Sequence, residues 1–321
     1  LPLYRQTEIL ARQGVELSRA LLSNWVDTCC RLMAPLDEAL YHYVMNCRKL
    51  HTDDTPVPVL APGRKKTKTG RIWTYVRDDR NAGSSDPPAA WFAYSPDRQG
   101  KHPELHLRSF RGVLQADAFA GYDRLFSTSR EGGVLTEAAC WAHARRKIHD
   151  VYISSQSATA EEALKRIGEL YAIEAEIRGM PETERLAARQ SRSAPLLASL
   201  HEWMVEKSAT LSKKSRLGEA FTYALNQWDA LCYYSRDGLA EPDNNAAERA
   251  LRAVCLGKKN YIFFGSDHGG ERGALLYGLI GTCRLNGIDP EAYLRHILSV
   301  LPEWPSNRVG ELLPWNVAIP A

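Results

Sequence analysis

The sequence predicts an α/β fold: a mixed sheet flanked by helices, with a long all-helical insertion before the last helices. Three observations lead there. Between Leu50 and Cys140, apolar and β-branched residues recur with a period of two in several short segments. Before and after that region the apolar period is that of a helix. From Ala158 to Trp228, roughly 70 residues, the pattern is helical almost throughout.

The first 45 residues read as helices. Leu17, Leu21, Leu22, Trp25 and Val26 recur at helical spacing after a break at Gly14. Helix, short turn, helix suits a small DNA-binding unit and equally any packed helix pair. Leu50 and Thr52, then Val57 and Val59, lie in extended segments; Ile72, Thr74 and Val76 form another, Ala90, Phe92 and Tyr94 a third, and Val113 to Ala116 a fourth. The basic GRKKTKTGR (Gly63 to Arg71) falls where a hairpin tip belongs, and LTEAAC from Leu135 supplies a short fifth strand before a helix near Trp141. Within the insertion, LKRIGELYAIEAEIRG, LLASLHEWMVEK and LGEAFTYALNQW are the clearest helices, broken by MPETE and the serine-rich SRSAP. A helix through Ala274 to Leu285, another in PEAYLRHILSVL and the proline-bearing ELLPWNVAIPA complete the chain. The expected divisions are a helical segment over 1–45, the first part of the core over 46–157, the insertion over 158–235, the last part of the core over 236–298, and a tail over 299–321.

Composition bounds the function only loosely. With 321 residues, 44% of them hydrophobic, the chain can bury one large core or two modest ones. Lys and Arg number 41 against 38 acidic residues, so a net charge of +3 does not announce nucleic acid. The basic residues are clustered, however, in GRKKTKTGR, AHARRK and GKKN, and such clusters are either the local footprint of a phosphate backbone or solvated faces. Seven cysteines, odd in number and without a dense framework, point to a reducing compartment. Apolar runs fall short of a membrane span and the start is not a signal peptide, so a cytoplasmic protein is expected. The chain begins LPLYRQ without an initiator methionine, the pattern of a fragment or processed chain.

Three acidic stations carry the chemistry: Asp53 and Asp54 in LHTDDTPVPVL, Asp117 in GVLQADAFAGYD, and Glu248 in PDNNAAERALR. Two strand-borne aspartates and a helix-borne glutamate are what a two-metal phosphoryl-transfer site requires, because hard oxygen donors suit Mg²⁺. Side chains alternate across a strand, so only one of the first pair should face the site, and Asp53 is favoured. Each station also has a local reading. Asp53 and Asp54 could open a turn before Pro56, Asp117 could cap the helix that follows it, and Asn245 with Glu248 has capping-box spacing, leaving Asp243 or Asn244 as alternative caps. Cys140 and His143 could be half of a zinc site, although no second pair stands at zinc spacing nearby. His143 could instead orient an acid, approach a phosphate or be a satisfied core histidine, with Arg145, Arg146 and Lys147 on the accessible side. GSDHGGERGA lacks the ending of a P-loop.

LPLYRQTEILARQGVELSRALLSNWV, HTDDTPVPVL, GRIWTYVRDDR, YSPDRQGKHP, LQADAFAGYD, EAACWAHARRKIHD, LYAIEAEIRG, EPDNNAAERALR, KNYIFFGSDHGGERGA, LNGIDPEAYL and ELLPWN resemble the transposase of the bacterial insertion-sequence sixty-six family. The likeness runs through essentially the whole chain. It implies a DDE recombinase with a ribonuclease-H-like catalytic core, cutting transposon ends and joining their 3′ hydroxyls to target DNA. The family's acids carry onto Asp53, Asp117 and Glu248, which implies two Mg²⁺ ions per site, with Mn²⁺ as a substitute. The chain has Asp54 where that segment more usually reads glutamate. CWAH resembles a Cys-x-x-His signature after the second acid, which assigns Cys140 and His143 to support of the site rather than to zinc. The family's usual additional N-terminal region, with a possible zinc-binding part, is absent from these residues.

Arg249, Arg252, Lys258 and Lys259 are candidates to hold the phosphate backbone near Glu248, and Arg64, Lys65, Lys66 and Lys68 could reach it from the hairpin. Expected partners are double-stranded DNA, a second copy of the chain on that DNA, and accessory proteins of the same element; no membrane is expected, and the setting is the nucleoid. A nuclease of the same core without strand transfer, and an inactive DNA-binding remnant, are the competing functions.

Overall fold

The computed structural model describes residues 2–63, 65–212 and 214–318. Two helices open the chain, α1 (Leu3–Arg12) and α2 (Arg19–Met45), separated at Gly14, whose φ of 81° is the left-handed conformation glycine supplies without strain. No residue of α1 is buried, and in α2 before Cys30 only Leu22 is, while Leu21 and Trp25 stay exposed. The apolar stripe expected to pack there turns inward only from Cys30 onward, where Met33, Leu36, Leu40 and Val44 enter the core.

The five expected strands are β1 (Lys49–Val59), β2 (Lys68–Arg77), β3 (Ala89–Ser95), β4 (Val113–Gln115) and β5 (Thr136–Ala138). The segments around the first acid form one continuous strand rather than two. The sheet runs β3-β2-β1-β4-β5, with β1–β2 and β2–β3 antiparallel and β1–β4 and β4–β5 parallel. A short helix, α3 (Lys101–His106), lies between β3 and β4. After β5 come α4 (Trp141–Ser155) and then the insertion: α5 (Ala158–Glu176), α6 (Glu182–Ala188), α7 (Ala194–Thr210), α8 (Arg216–Asn226) and α9 (Trp228–Cys232). The chain closes with α10 (Asn245–Tyr261), α11 (Asp267–Leu285), α12 (Pro290–Val300) and short helical turns. A mixed five-stranded sheet with helices on both faces and a large helical insertion is consistent with a ribonuclease-H-like architecture.

Alternation along β1 decides which helix meets which side chain. Leu50 joins Trp73, Tyr75 and Leu114 against α2, α12 and the C-terminal turns, whereas Val57 and Val59 join Ile72 and Phe92 against Leu251 and Val254 of α10. On this second face, α4 and the insertion cover β4 and β5 through Val113, Ala138, Trp141 and Ile148. Helices α10 and α4 therefore lie on one face, with β1 and β4 side by side beneath them. Close approach of α11 to β3 depends on Gly270: a Cβ there would lie 2.4 Å from the Tyr94 ring.

Candidate active site

Asp53 lies on the α10 side of β1, sharing its face with His51 and Thr55, which reach Asn244 and Cys255 respectively. Parallel pairing brings His51 opposite Gln115. Two residues on, Asp53 stands mid-strand in β1 and Asp117 just past the end of β4, so the register carries both acids onward from paired positions of neighbouring strands. The Asp54 N–H donates to Asp53 Oδ1 at 2.7 Å. Burial pushes the Asp53 carboxyl up to about 7; that N–H opposes the rise, while the charges of Asp117, Asp54 and Glu248 add to it. Burial also raises Asp117, against the lowering influence of His143 and Arg98. A carboxyl cluster of this kind is disfavoured when fully ionised, which is the electrostatic condition that welcomes a cation.

Glu248 stands in the first turn of α10, with its carboxylate 3.7 Å from His143 Nε2 and 3.4 Å from Arg146 Nη2 on α4. Among the described residues its Oε1 is buried without a hydrogen-bond partner, and so is His143 Nδ1. The capping-box alternative for Glu248 is not realised. Asp243 Oδ1 takes the Asn245 N–H at 3.1 Å, and the Asn244 N–H donates to Cys140 Sγ at 3.2 Å. Cys140 occupies the N-cap position of α4, 1% exposed, and burial lifts its thiol to about 12. One donor atom from each of Cys140, His143 and Glu248 lies within 4.8 Å of the others.

Asp54 faces the other way. Its carboxylate, 1% exposed, is held by Arg71 Nη1 at 2.9 Å and Arg98 Nη2 at 2.8 Å. The Arg98 guanidinium in turn lies 3.8 Å from the centroid of the Phe119 ring, two residues beyond Asp117.

Asn244, fully buried, was not singled out by the sequence beyond its chance of being a cap. Its side-chain amide donates to the Thr52 carbonyl at 2.7 Å and its Oδ1 pairs with His51 Nδ1 at 3.0 Å. One residue thus ties the start of α10 to the strand of Asp53 and to the first turn of α4. The insertion contributes too. Buried Arg189 donates to Glu174 at 2.8 and 2.6 Å and to the carbonyls of Tyr234, Asp237 and Ala240, while Arg185 donates to Glu241 at 2.8 Å. These bonds hold the loop that leads into α10.

The basic candidates divide. Arg145 and Arg146 line a cavity of about 570 Å³ with His149, Gly168, Tyr171 and Asn245, beside the start of α10. Lys147 places its ammonium 4.6 Å from the centre of the Tyr223 ring. Arg249 and Arg252 are not brought to the Glu248 carboxylate; they line a cavity of about 620 Å³ with Tyr277 and Arg284, where α10 faces α11. Lys258 is tied to β1 through Thr55 Oγ1 and the Pro56 carbonyl, and Lys259 is exposed. Lys65 and Lys66 are exposed at the hairpin tip, Lys68 pairs with Asp267 at 2.5 Å, and Arg64 lies outside the described residues.

Comparison with known proteins decides the family. Residues 1–272 match the family described as Transposase IS66 family, and residues 278–315 match the IS66 C-terminal element. The chain belongs to the IS66 transposase family. Two relatives from Sinorhizobium fredii, the uncharacterized proteins y4hP and y4qI, are 40% and 36% identical over 98% of this chain. The chain spans 59% of the length of each. The uncharacterized protein YuaK of Escherichia coli is 41% identical over 58 residues, 18% of this chain and 62% of its own length. Among the described residues no helix is long and apolar enough to cross a membrane.

Proposed function

We propose that the chain holds the catalytic core of a DDE transposase, which cleaves transposon-end DNA and transfers the resulting 3′ hydroxyl to target DNA. What supports this reading is the electrostatic coupling of three acids, Asp53, Asp117 and Glu248, on neighbouring elements. Register aligns the first two, and the charge of each of the other two helps to raise Asp53 to about 7. Asp53, Asp117 and Glu248 are the residues we assign to hold Mg²⁺ or Mn²⁺, and their all-oxygen donor set fits such ions. When bound, the ions supply activation of water or the 3′ hydroxyl and stabilisation of the leaving oxygen.

The protein's part is to position and to balance charge. Asn244 fixes the register of Glu248 against Asp53. Asp54 holds Arg98 beside the Asp117 loop, and Arg146, more than half exposed, offers its guanidinium to a phosphate at the mouth. Residues 46–157 and 236–298 form this core in our assignment, 158–235 the insertion, 1–45 a DNA-binding unit, and 299–321 the tail. Double-stranded DNA is the substrate, and synapsis of two ends calls for a second copy of the chain.

The test is Mg²⁺-dependent cleavage and joining of labelled element ends by the intact chain and by Asp53→Asn, Asp117→Asn and Glu248→Gln. Loss of joined product in all three supports the assignment. Cleavage without joining favours a nuclease, and activity that survives the substitutions removes the triad.

A further inference from the structure

We propose that Cys140, His143 and Glu248 form a binding site for a borderline-soft divalent cation, zinc above all, which shares Glu248 with the carboxylate cluster. Sequence spacing offers only the first two, one turn apart at the start of α4. The fold adds the third from α10, and the three donor atoms lie within 4.8 Å of one another. A tetrahedral zinc site with bonds of about 2.0–2.3 Å separates its ligands by roughly 3.3–3.8 Å, so closure asks for shifts of about 1 Å. The His143 Nε2 to Glu248 Oε1 separation is already 3.7 Å.

A second observation points to a ligand. Among the described residues Glu248 Oε1 is buried with no hydrogen-bond partner and faces His143 Nε2, an arrangement that costs free energy unless something fills it. Arg146 approaches the other oxygen, Oε2, and leaves Oε1 free. The sulfur accepts the Asn244 N–H at 3.2 Å, which fixes its position at the start of α4. Sulfur, nitrogen and a single carboxylate select zinc over magnesium, and three protein ligands leave the fourth position to water. Binding breaks the Cys140 S–H bond, forms the metal–sulfur bond and releases the proton to solvent. Because Glu248 belongs to both sets, zinc at this site withdraws it from Asp53 and Asp117 and antagonises magnesium; that consequence rests on the proposed role of the triad, whereas the site itself does not.

Cobalt titration of the intact chain tests the site directly. Expected are the near-ultraviolet charge-transfer band of a thiolate–cobalt bond and the visible bands of tetrahedral cobalt, both erased by equimolar zinc and untouched by excess magnesium. Asp53→Asn should keep these bands. Cys140→Ser, which preserves size and an acceptor for the Asn244 N–H, should abolish the thiolate band, and His143→Ala should weaken cobalt on the order of a hundredfold. Absence of a thiolate band in the wild type overturns the proposal. So does a band that survives Cys140→Ser, which would place the metal elsewhere, as at the adjacent Cys29 and Cys30. Cobalt bound through Cys140 by a chain that never cleaves or joins DNA would keep the site and remove the transposase reading; the converse result would do the opposite.

Discussion

The Asn244 side-chain amide donates to the Thr52 carbonyl at 2.7 Å, one residue before Asp53 and four residues before Glu248 on its own side. Its side-chain oxygen meets His51 Nδ1 at 3.0 Å. Asn244→Ala leaves both partners buried and unsatisfied, at about 1–3 kcal/mol each. The expected result is a lower urea midpoint together with loss of joining that outlasts any correction for unfolded protein, because the helix of Glu248 is no longer pinned to the strand of Asp53. Asn244→Asp keeps an acceptor but cannot donate to Thr52, so it should fail in the same assay. Full joining activity in a well-folded Asn244→Ala would refute the pinning role.

The acids make stability depend on pH in a direction that can be stated. Asp53 is raised from 3.8 to about 7, and burial raises Asp37 to about 6 against the Trp91 N–H. Between the unfolded and folded values the folded chain keeps protons the unfolded chain has lost, so stability falls as pH climbs from about 4 to about 7. Asp53→Asn should therefore melt above the wild type at neutral pH by an amount on the order of 2–4 kcal/mol, a gap that narrows toward about pH 4. Magnesium should stabilise the wild type at neutral pH and leave Asp53→Asn nearly unmoved. Asp37→Asn should gain stability too, yet retain the magnesium response, since Asp37 lies on α2 against Trp91.

Asp54 should matter for folding more than for metal. Truncating it to alanine leaves Arg71 and Arg98 without their carboxylate in a site where Asp54 is 1% exposed. Breaking a buried pair in this way costs about 3–5 kcal/mol. Equilibrium denaturation should show that loss, and magnesium affinity measured by calorimetry under folding conditions should change far less than in Asp117→Asn. A magnesium deficit equal to that of Asp117→Asn would make Asp54 a ligand after all.

Much of this was readable from residues alone, and the exceptions have physical reasons. Strand alternation separates Asp53 from Asp54 in the sequence itself, and four of the five strands announce themselves by period, the fifth by its place before α4. Alternation does not say what the rejected carboxylate meets, so the Arg71–Asp54–Arg98 clamp stayed hidden. An asparagine at a helix start reads as a cap, which conceals that Asn244 spends its side chain on a strand nearly 200 residues earlier. Arg249 and Arg252 are close to Glu248 in sequence, but helical rotation turns Arg252 toward α11 and leaves Arg249 between that cavity and another lined by His51, Asp243 and Asn245. Leu21 and Trp25 mark a helix correctly without marking a buried face.

Arg185 and Arg189 are the sharpest case, because charged residues in a helical insertion read as a solvated surface while both are buried here. Arg189 reaches Glu174 and the carbonyls of Tyr234, Asp237 and Ala240, the loop from which α10 departs. Arg189→Met should destabilise the chain by about 3–5 kcal/mol, chiefly because Glu174 is left buried with its strongest partner gone. Adding Glu174→Met removes that charge and should restore much of the thermal stability. Joining activity should not return with it, since the three carbonyls still lack the guanidinium that fixes the approach to Glu248. Recovery of stability and activity together in the double variant would show that the insertion only fills space; recovery of stability alone would make it the anchor of the third acid.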